Sequence, residues 1–182
     1  MKFKPWMIVV VILAVLGIFV VAQYNGLVNH EETVNSKWSQ VENNLKRRAD
    51  LIPNLVSTVK GYASHESNVL KEVTDARTGY EKAKTPEEFA KAEANLKSSI
   101  NMVMEAYPDL KANASFLSLQ DELSGSENRL TVARMDYNNA VENYNKSIRR
   151  FPKNIFAGIM GFHEKEYFQI TESDADTPEV KF

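Results

Sequence analysis

The sequence predicts an all-α protein: an N-terminal transmembrane helix followed by an elongated antiparallel bundle of three long helices, the first of them kinked at Pro53. Three observations carry this. Residues Trp6 to Ala22 form one unbroken apolar run. Beyond it, apolar side chains recur at alternating steps of four and three, the seam of a coiled-coil-like helix. Only seven Gly and six Pro are available in 182 residues to break such helices.

The apolar run comes first. At 1.5 Å rise per residue it reaches about 26 Å, a little short of the ~30 Å hydrocarbon core of a bilayer. Trp6 and Tyr24 bracket it where amphipathic rings favour the two membrane interfaces. Trp6, Ile8, Val11, Leu13, Leu16, Phe19 and Ala22 are the expected anchor residues, within a transmembrane segment 6–23. The rival reading is a cleaved export signal, with Val20 and Ala22 as the small residues before the cut. Against it, the run reaches the cut without a polar or helix-breaking stretch, and no Cys follows that could take a lipid. Lys2 and Lys4 precede the span and the first basic residue after it is Lys37, so residues 1–5 are expected in the cytoplasm and the body outside it.

From Val34 the seam steps through Trp38, Val41, Leu45, Arg48, Ile52, Leu55, Val59, Tyr62, Glu66, Val69, Val73, Ala76, Tyr80 and Ala83. Pro53 interrupts it, and the uninterrupted phase favours a kink over a restart capped by Asp50. Thr85, Pro86, Glu87 and Glu88 then spell a helix start: a cap, a proline for the first turn and a capping box. This second helix carries Phe89, Ala92, Leu96, Ile100, Val103 and Tyr107, and Pro108 ends it. The third runs through Phe116, Leu119, Leu123, Ser126, Leu130, Ala133, Tyr137, Ala140, Tyr144, Ile148 and Phe151 to Pro152, with Gly125 weakening but not breaking it. Its aromatic stripe Tyr137, Tyr144, Phe151 is expected in the core. A short helix capping the bundle end is expected after Pro152, so that the bundle domain spans 24–170, and the acid-rich 171–182 is expected to be a disordered tail.

Composition excludes several functions. A net charge of −2 gives no overall attraction to nucleic acid, and with no Cys there is no disulfide, thiolate metal site or Cys nucleophile. His65-Glu66 and His163-Glu164 begin like a zinc-protease helix, but the positions for the second imidazole hold Val69 and Tyr167. No Glu stands three residues before His30, His65 or His163, as a di-iron bundle would need. Gly158 and Gly161 have no phosphate-loop lysine after them. No catalytic residue, cofactor or metal is therefore expected.

The polar positions worth following are Arg47, Arg48 and Asp50, because Arg48 lies on the seam, where a charge is costly unless paired. Glu122 or Glu127 on the third helix could answer it. An interhelical ion pair fixing register is the plain reading and partner docking the other. Ser126 is a small residue that can admit a long Arg. The asparagines of the third helix, Asn128, Asn138, Asn139, Asn143 and Asn145, form either buried polar ladders between helices or a face for association.

Two blocks, VNSKWSQVENNLKRRADLIPNLVSTVKGYASHE from Val34 and the stretch from Tyr107 to Phe162, resemble the LemA family. The resemblance is carried by Asp50, Pro53, Asn54, Gln120, Glu127, Asn128, Arg129, Tyr137, Asn138 and Pro152. It implies a helical domain on one retained membrane helix and no established reaction. LemA relatives are often encoded near membrane metalloproteases or other small envelope proteins, so it also implies a protein partner. The functional expectation is a scaffold or adaptor of the bacterial cell membrane acting through protein contacts or as a homo-oligomer, with Arg47, Arg48, Asp50, Glu122, Glu127, Arg129 and Asn138 as candidate polar positions. The alternative is lipid binding or membrane remodelling by the apolar segment 154–162.

Overall fold

A computed structural model of the chain describes residues 4–60 and 67–169. Among these residues there is no strand. The elements are α1 (Pro5–Lys60), α2 (Ser67–Lys82), α3 (Pro86–Ala106), a 3-10 turn (Pro108–Ala112), α4 (Ala114–Arg149) and the short α5 (Lys153–Phe156). The expected count of three bundle helices thus becomes a different set. The anchor and the start of the first bundle helix are a single helix, because nothing between Ala22 and Val34 breaks it; Gly26 is tolerated there. α1 also passes through Pro53 without restarting at Asp50. The sequence carries the first bundle helix on to Ala83 as one helix; residues 61–66, where its seam passes Tyr62 and Glu66, and the tail 171–182 lie outside the described residues, and Ser67–Lys82 is a helix of its own in the element order.

The chain divides into two compact units, Met1–Lys37 with Asn139–Glu166 and Trp38–Asn138 with Tyr167–Phe182. In the first, Leu27 and Val34 of α1 and Val141, Tyr144 and Ile148 of α4 are buried, together with Ala157 and Phe162. The ring of Phe162 meets that of Tyr24 edge-on at 5.6 Å. In contrast, the apolar stretch of α1 from Trp6 is exposed on every face, none of its membrane-length window being covered by protein. A helix apolar all round and bare of protein contacts suits lipid rather than water.

In the second unit the seam positions are the core: Val41, Leu45, Ile52, Leu55 and Val59 of α1, Val73, Ala76 and Tyr80 of α2, Leu96 and Val103 of α3, and Phe116 to Tyr137 along the α4 seam. Each fully buried Leu or Ile contributes about 1.5–3 kcal/mol relative to exposure. Trp38 gathers an aromatic cluster, its ring 5.1 Å from Tyr137, 5.8 Å from Phe89 and 6.4 Å from Phe168. The α2/α3 hairpin is antiparallel. Ser99 Oγ reaches the Glu72 carbonyl at 3.5 Å, while a Cβ on Gly79 would lie 3.7 Å from that of Ala92. Partners therefore move seven residues forward on one helix as they move seven back on the other.

Phe151 departs from expectation. It holds the seam phase but is 80% exposed, because α4 ends at Arg149 and the chain turns at Phe151–Pro152 before that last step can be buried. Similarly, only Lys153–Phe156 of the expected terminal helix is α-helical, and residues 162–169 have no regular secondary structure.

The start of α3 follows the sequence closely. Thr85 Oγ1 accepts from Glu88 N at 3.2 Å, and the Glu88 carboxylate accepts from the amides of Lys84 and Thr85 at 2.7 and 3.2 Å. Those amides, Lys84 first, hold the Glu88 carboxyl below its ordinary value of 4.5. Such a group stabilises the fold above its unfolded pKa and loses that contribution as pH falls through the lower, folded value. In urea unfolding followed by circular dichroism, Thr85→Ala is expected to cost about 1 kcal/mol. Glu88→Gln is expected to flatten the loss of stability below about pH 4.5.

Candidate functional site

Arg48 is the buried charge of the second unit, its side chain 3% exposed. A guanidinium in such a place needs an anion, and two helices supply one each. Nε lies 3.1 Å from Glu93 Oε1 of α3 and Nη1 lies 3.9 Å from Glu127 Oε2 of α4. Glu127 is one of the two partners the sequence suggests; Glu122 is exposed and is not a partner. Glu93, the nearer acid, is absent from the sequence reading because it stands one place after the seam residue Ala92. It is only 12% exposed, so it shares the desolvation of Arg48, whereas Glu127 remains half in water.

The pair is close but not aligned: Arg48 Nε and Nη1 are buried without a hydrogen bond of good geometry. Arg48 borders a cavity of about 170 Å³ lined also by Lys97, Asn101, Gln120, Ser124 and Glu127 on its polar side and by Phe116 and Leu119 on its apolar one. That space has room for water to meet the remaining donors. Ser126 is fully buried beside this seam and satisfies its hydroxyl by donating to the Leu123 carbonyl at 2.7 Å.

The other predicted polar residues do not join this cluster in the same way. Arg47 is exposed. Asp50 is exposed at a separate depression with Glu42, Lys46, Arg77, Tyr80 and Glu81. Arg129 lies on the open face with Asn128 and Asp136, its guanidinium 3.7 Å from where a Cβ on Gly125 would be. Among the described residues no three His, Cys, Asp or Glu come together as a metal site.

Asn138 and Asn145 do something the sequence reading does not contain. The Asn145 amide donates to the Lys165 carbonyl at 2.9 Å and accepts from the Lys165 amide at 2.9 Å. Asn138 does the same with Phe168, at 3.0 and 2.8 Å. Each carboxamide thus pairs both backbone groups of one residue in a segment that has no ladder of its own, which its donor and acceptor face allows. They are neither a ladder between helices nor a free face. Asn128, Asn139 and Asn143 are exposed. Within residues 162–169 the covered positions are every third residue, Phe162, Lys165 and Phe168. Lys165 Nζ also meets Glu31 at 2.8 Å, and the Arg134 guanidinium stacks 4.4 Å above the Phe168 ring.

Residues 37–182 match the model of the LemA family. Magnetosome proteins MamQ 1 and MamQ 2 of Paramagnetospirillum magneticum are each 28% identical over 185 residues, covering 86% of this chain and 68% of their own length. Protein LemA of Metamycoplasma hominis is 26% identical over 176 residues, covering 91% of this chain and 80% of its own.

Arg48→Met leaves Glu93 short of its counter-charge and is expected to cost about 3 kcal/mol, with Arg48→Met/Glu93→Leu regaining most of it. Asn145→Ala is expected to cost about 1–3 kcal/mol by orphaning both backbone groups of Lys165. Chemical denaturation of the full chain in detergent measures both.

Proposed function

The chain belongs to the LemA family, and on that footing we propose that it is a membrane-anchored helical scaffold or adaptor of the bacterial cell envelope. It works by protein contacts or self-assembly and not by catalysis. The observation that carries this reading is α1 itself: one helix whose first part is apolar and bare on all sides and whose later part supplies the buried seam of the body. A helix built this way holds a folded body at a bilayer.

Lys2 and Lys4 before the span, against Lys37 after it, support a cytoplasmic N-terminus with the body on the far side of the cell membrane. The helices of the body, with their heptad phase, support an antiparallel bundle as its working form. Arg47, Asp50, Glu122 and Arg129 leave charged side chains exposed for a partner, whether a second copy or another membrane protein such as a metalloprotease. The bland role of Arg48 and Asn138, fixing the body's own packing, is favoured over docking because their polar atoms are turned to internal partners.

The full chain is expected to stay in the membrane fraction through alkaline carbonate washing, and a chain lacking residues 1–22 to leave it. Crosslinking in intact membranes should yield adducts heavier than the monomer. A strictly monomeric protein that recovers no partner would sink the scaffold reading.

A further inference from the structure

The first unit carries an exposed apolar face. Phe151, Ile155 and Ile159, four residues apart, are 80%, 53% and 87% exposed, although Ala157 and Phe162 of the same turn are buried and Phe156 and Met160 are half-buried. Single exposed apolar residues need no explanation, but three in one turn do. Their position supplies one. Gln23, the residue after the apolar run, lines one cavity with Phe151, Pro152 and Lys153. Phe162 touches Tyr24, and Lys153 Nζ lies 3.3 Å from where a Cβ on Gly26 would be. The turn is therefore level with the point where α1 leaves the span. That span is about 4 Å shorter than a hydrocarbon core, roughly three residues of helix, which Gln23 to Asn25 would supply on the side of the body.

The same cavity, about 510 Å³, is lined by His30, Lys146, Arg150 and Lys153 with the polar Gln23, Asn143 and Ser147, and by no carboxylate. Glu142 holds Lys146 by an exposed ion pair, of the kind that is worth little and yields to competitors. Glu164, outside the cavity, holds Arg149. Among the described residues the Lys153 ammonium meets the Ser147 hydroxyl at 2.9 Å and no carboxylate, and Arg150 makes no ion pair.

We propose that this turn and its basic cavity form a phospholipid site at the membrane surface, in which Lys146, Arg150 and Lys153 take an anionic headgroup phosphate while Phe151, Ile155 and Ile159 enter the acyl boundary. The proposal rests on the reading of Trp6 to Ala22 as a membrane span. Continuity with that span selects lipid over a protein occupant, and three cations without a lining acid select an anionic headgroup.

The chain has no Cys, so Ile155→Cys and Ser36→Cys can each carry one environment-sensitive fluorophore in the full chain. Ser36 is exposed on α1 about 21 Å beyond Ala22. In phosphatidylcholine vesicles containing phosphatidylglycerol, the label at 155 is expected to shift to the blue and be quenched by lipid-borne spin labels, and the label at 36 to do neither. Removing phosphatidylglycerol, or adding Lys146→Glu with Arg150→Glu, should reverse at least half of the shift at 155; added inorganic phosphate should not. Failure of the protein to float with vesicles overturns the anchor reading. Flotation with a water-like label at 155 overturns this inference alone. A shift indifferent to phosphatidylglycerol and to charge reversal overturns the headgroup site. A concentration-dependent shift in detergent without lipid assigns the face to a second copy instead.

Discussion

One helix carries two kinds of surface. From Trp6 to Ala22, α1 shows apolar side chains in every direction and has no protein over them. In hydrocarbon this leaves the backbone only its own carbonyls as partners, which enforces helix despite the many β-branched Val and Ile in the segment. Beyond Gly26 the same helix meets water on one side and protein on the other, so the apolar residues contract to a stripe: Leu27, Val34, Val41, Leu45 and onward to Val59. The stripe of α1 is the template against which other helices bury theirs, and Pro53 does not reset it. Losing one amide donor is tolerable when Leu51, Ile52 and Leu55 around it are all buried.

Much of the fold is legible from the period alone. The seam residues of α1, α2 and α4 within the described range are almost all buried, because a step of three or four residues on a helix has one physical meaning in water. The capping box of α3 is legible for a similar reason: Thr85 and Glu88 act within one turn. Other features depend on the chain returning from far away. Glu93 as the nearest anion to Arg48 follows from how α3 faces α1, which no local pattern specifies. Phe151 keeps the seam phase yet is exposed, since burial needs a covering partner as well as a period. The pairing of Asn138 with Phe168 joins residues thirty apart through a segment whose own pattern is not helical, and asparagine gives no hint of which backbone it will choose.

Each pairing has a chemical logic. A carboxamide carries one donor and one acceptor, which match the C=O and N–H of a single residue together. The segment gets its hydrogen bonds without a sheet and without becoming helix. Within the first unit Lys165 is held further by Glu31, and within the second Phe168 is held by the Trp38 ring and the Arg134 guanidinium.

Apolar seams supply most of the stability, but they do not choose a register. A heptad pattern slipped by seven residues buries nearly the same area, so a body made only of Leu, Val and Ala would have several alignments of similar energy. Arg48 breaks that degeneracy. In the observed register its guanidinium falls between Glu93 and Glu127; in a slipped one it would be buried against apolar neighbours with no anion, at a cost of several kcal/mol. Asn145 adds a different constraint, since it is buried and its carboxamide is satisfied only by the backbone of Lys165. Replacing Arg48 and Glu93 together with well-packed apolar residues need not weaken the native state, yet it would bring the competing alignments closer to it. Register also decides where exposed charges such as Arg47, Asp50 and Arg129 fall along these helices, and the buried guanidinium of Arg48 is what holds it.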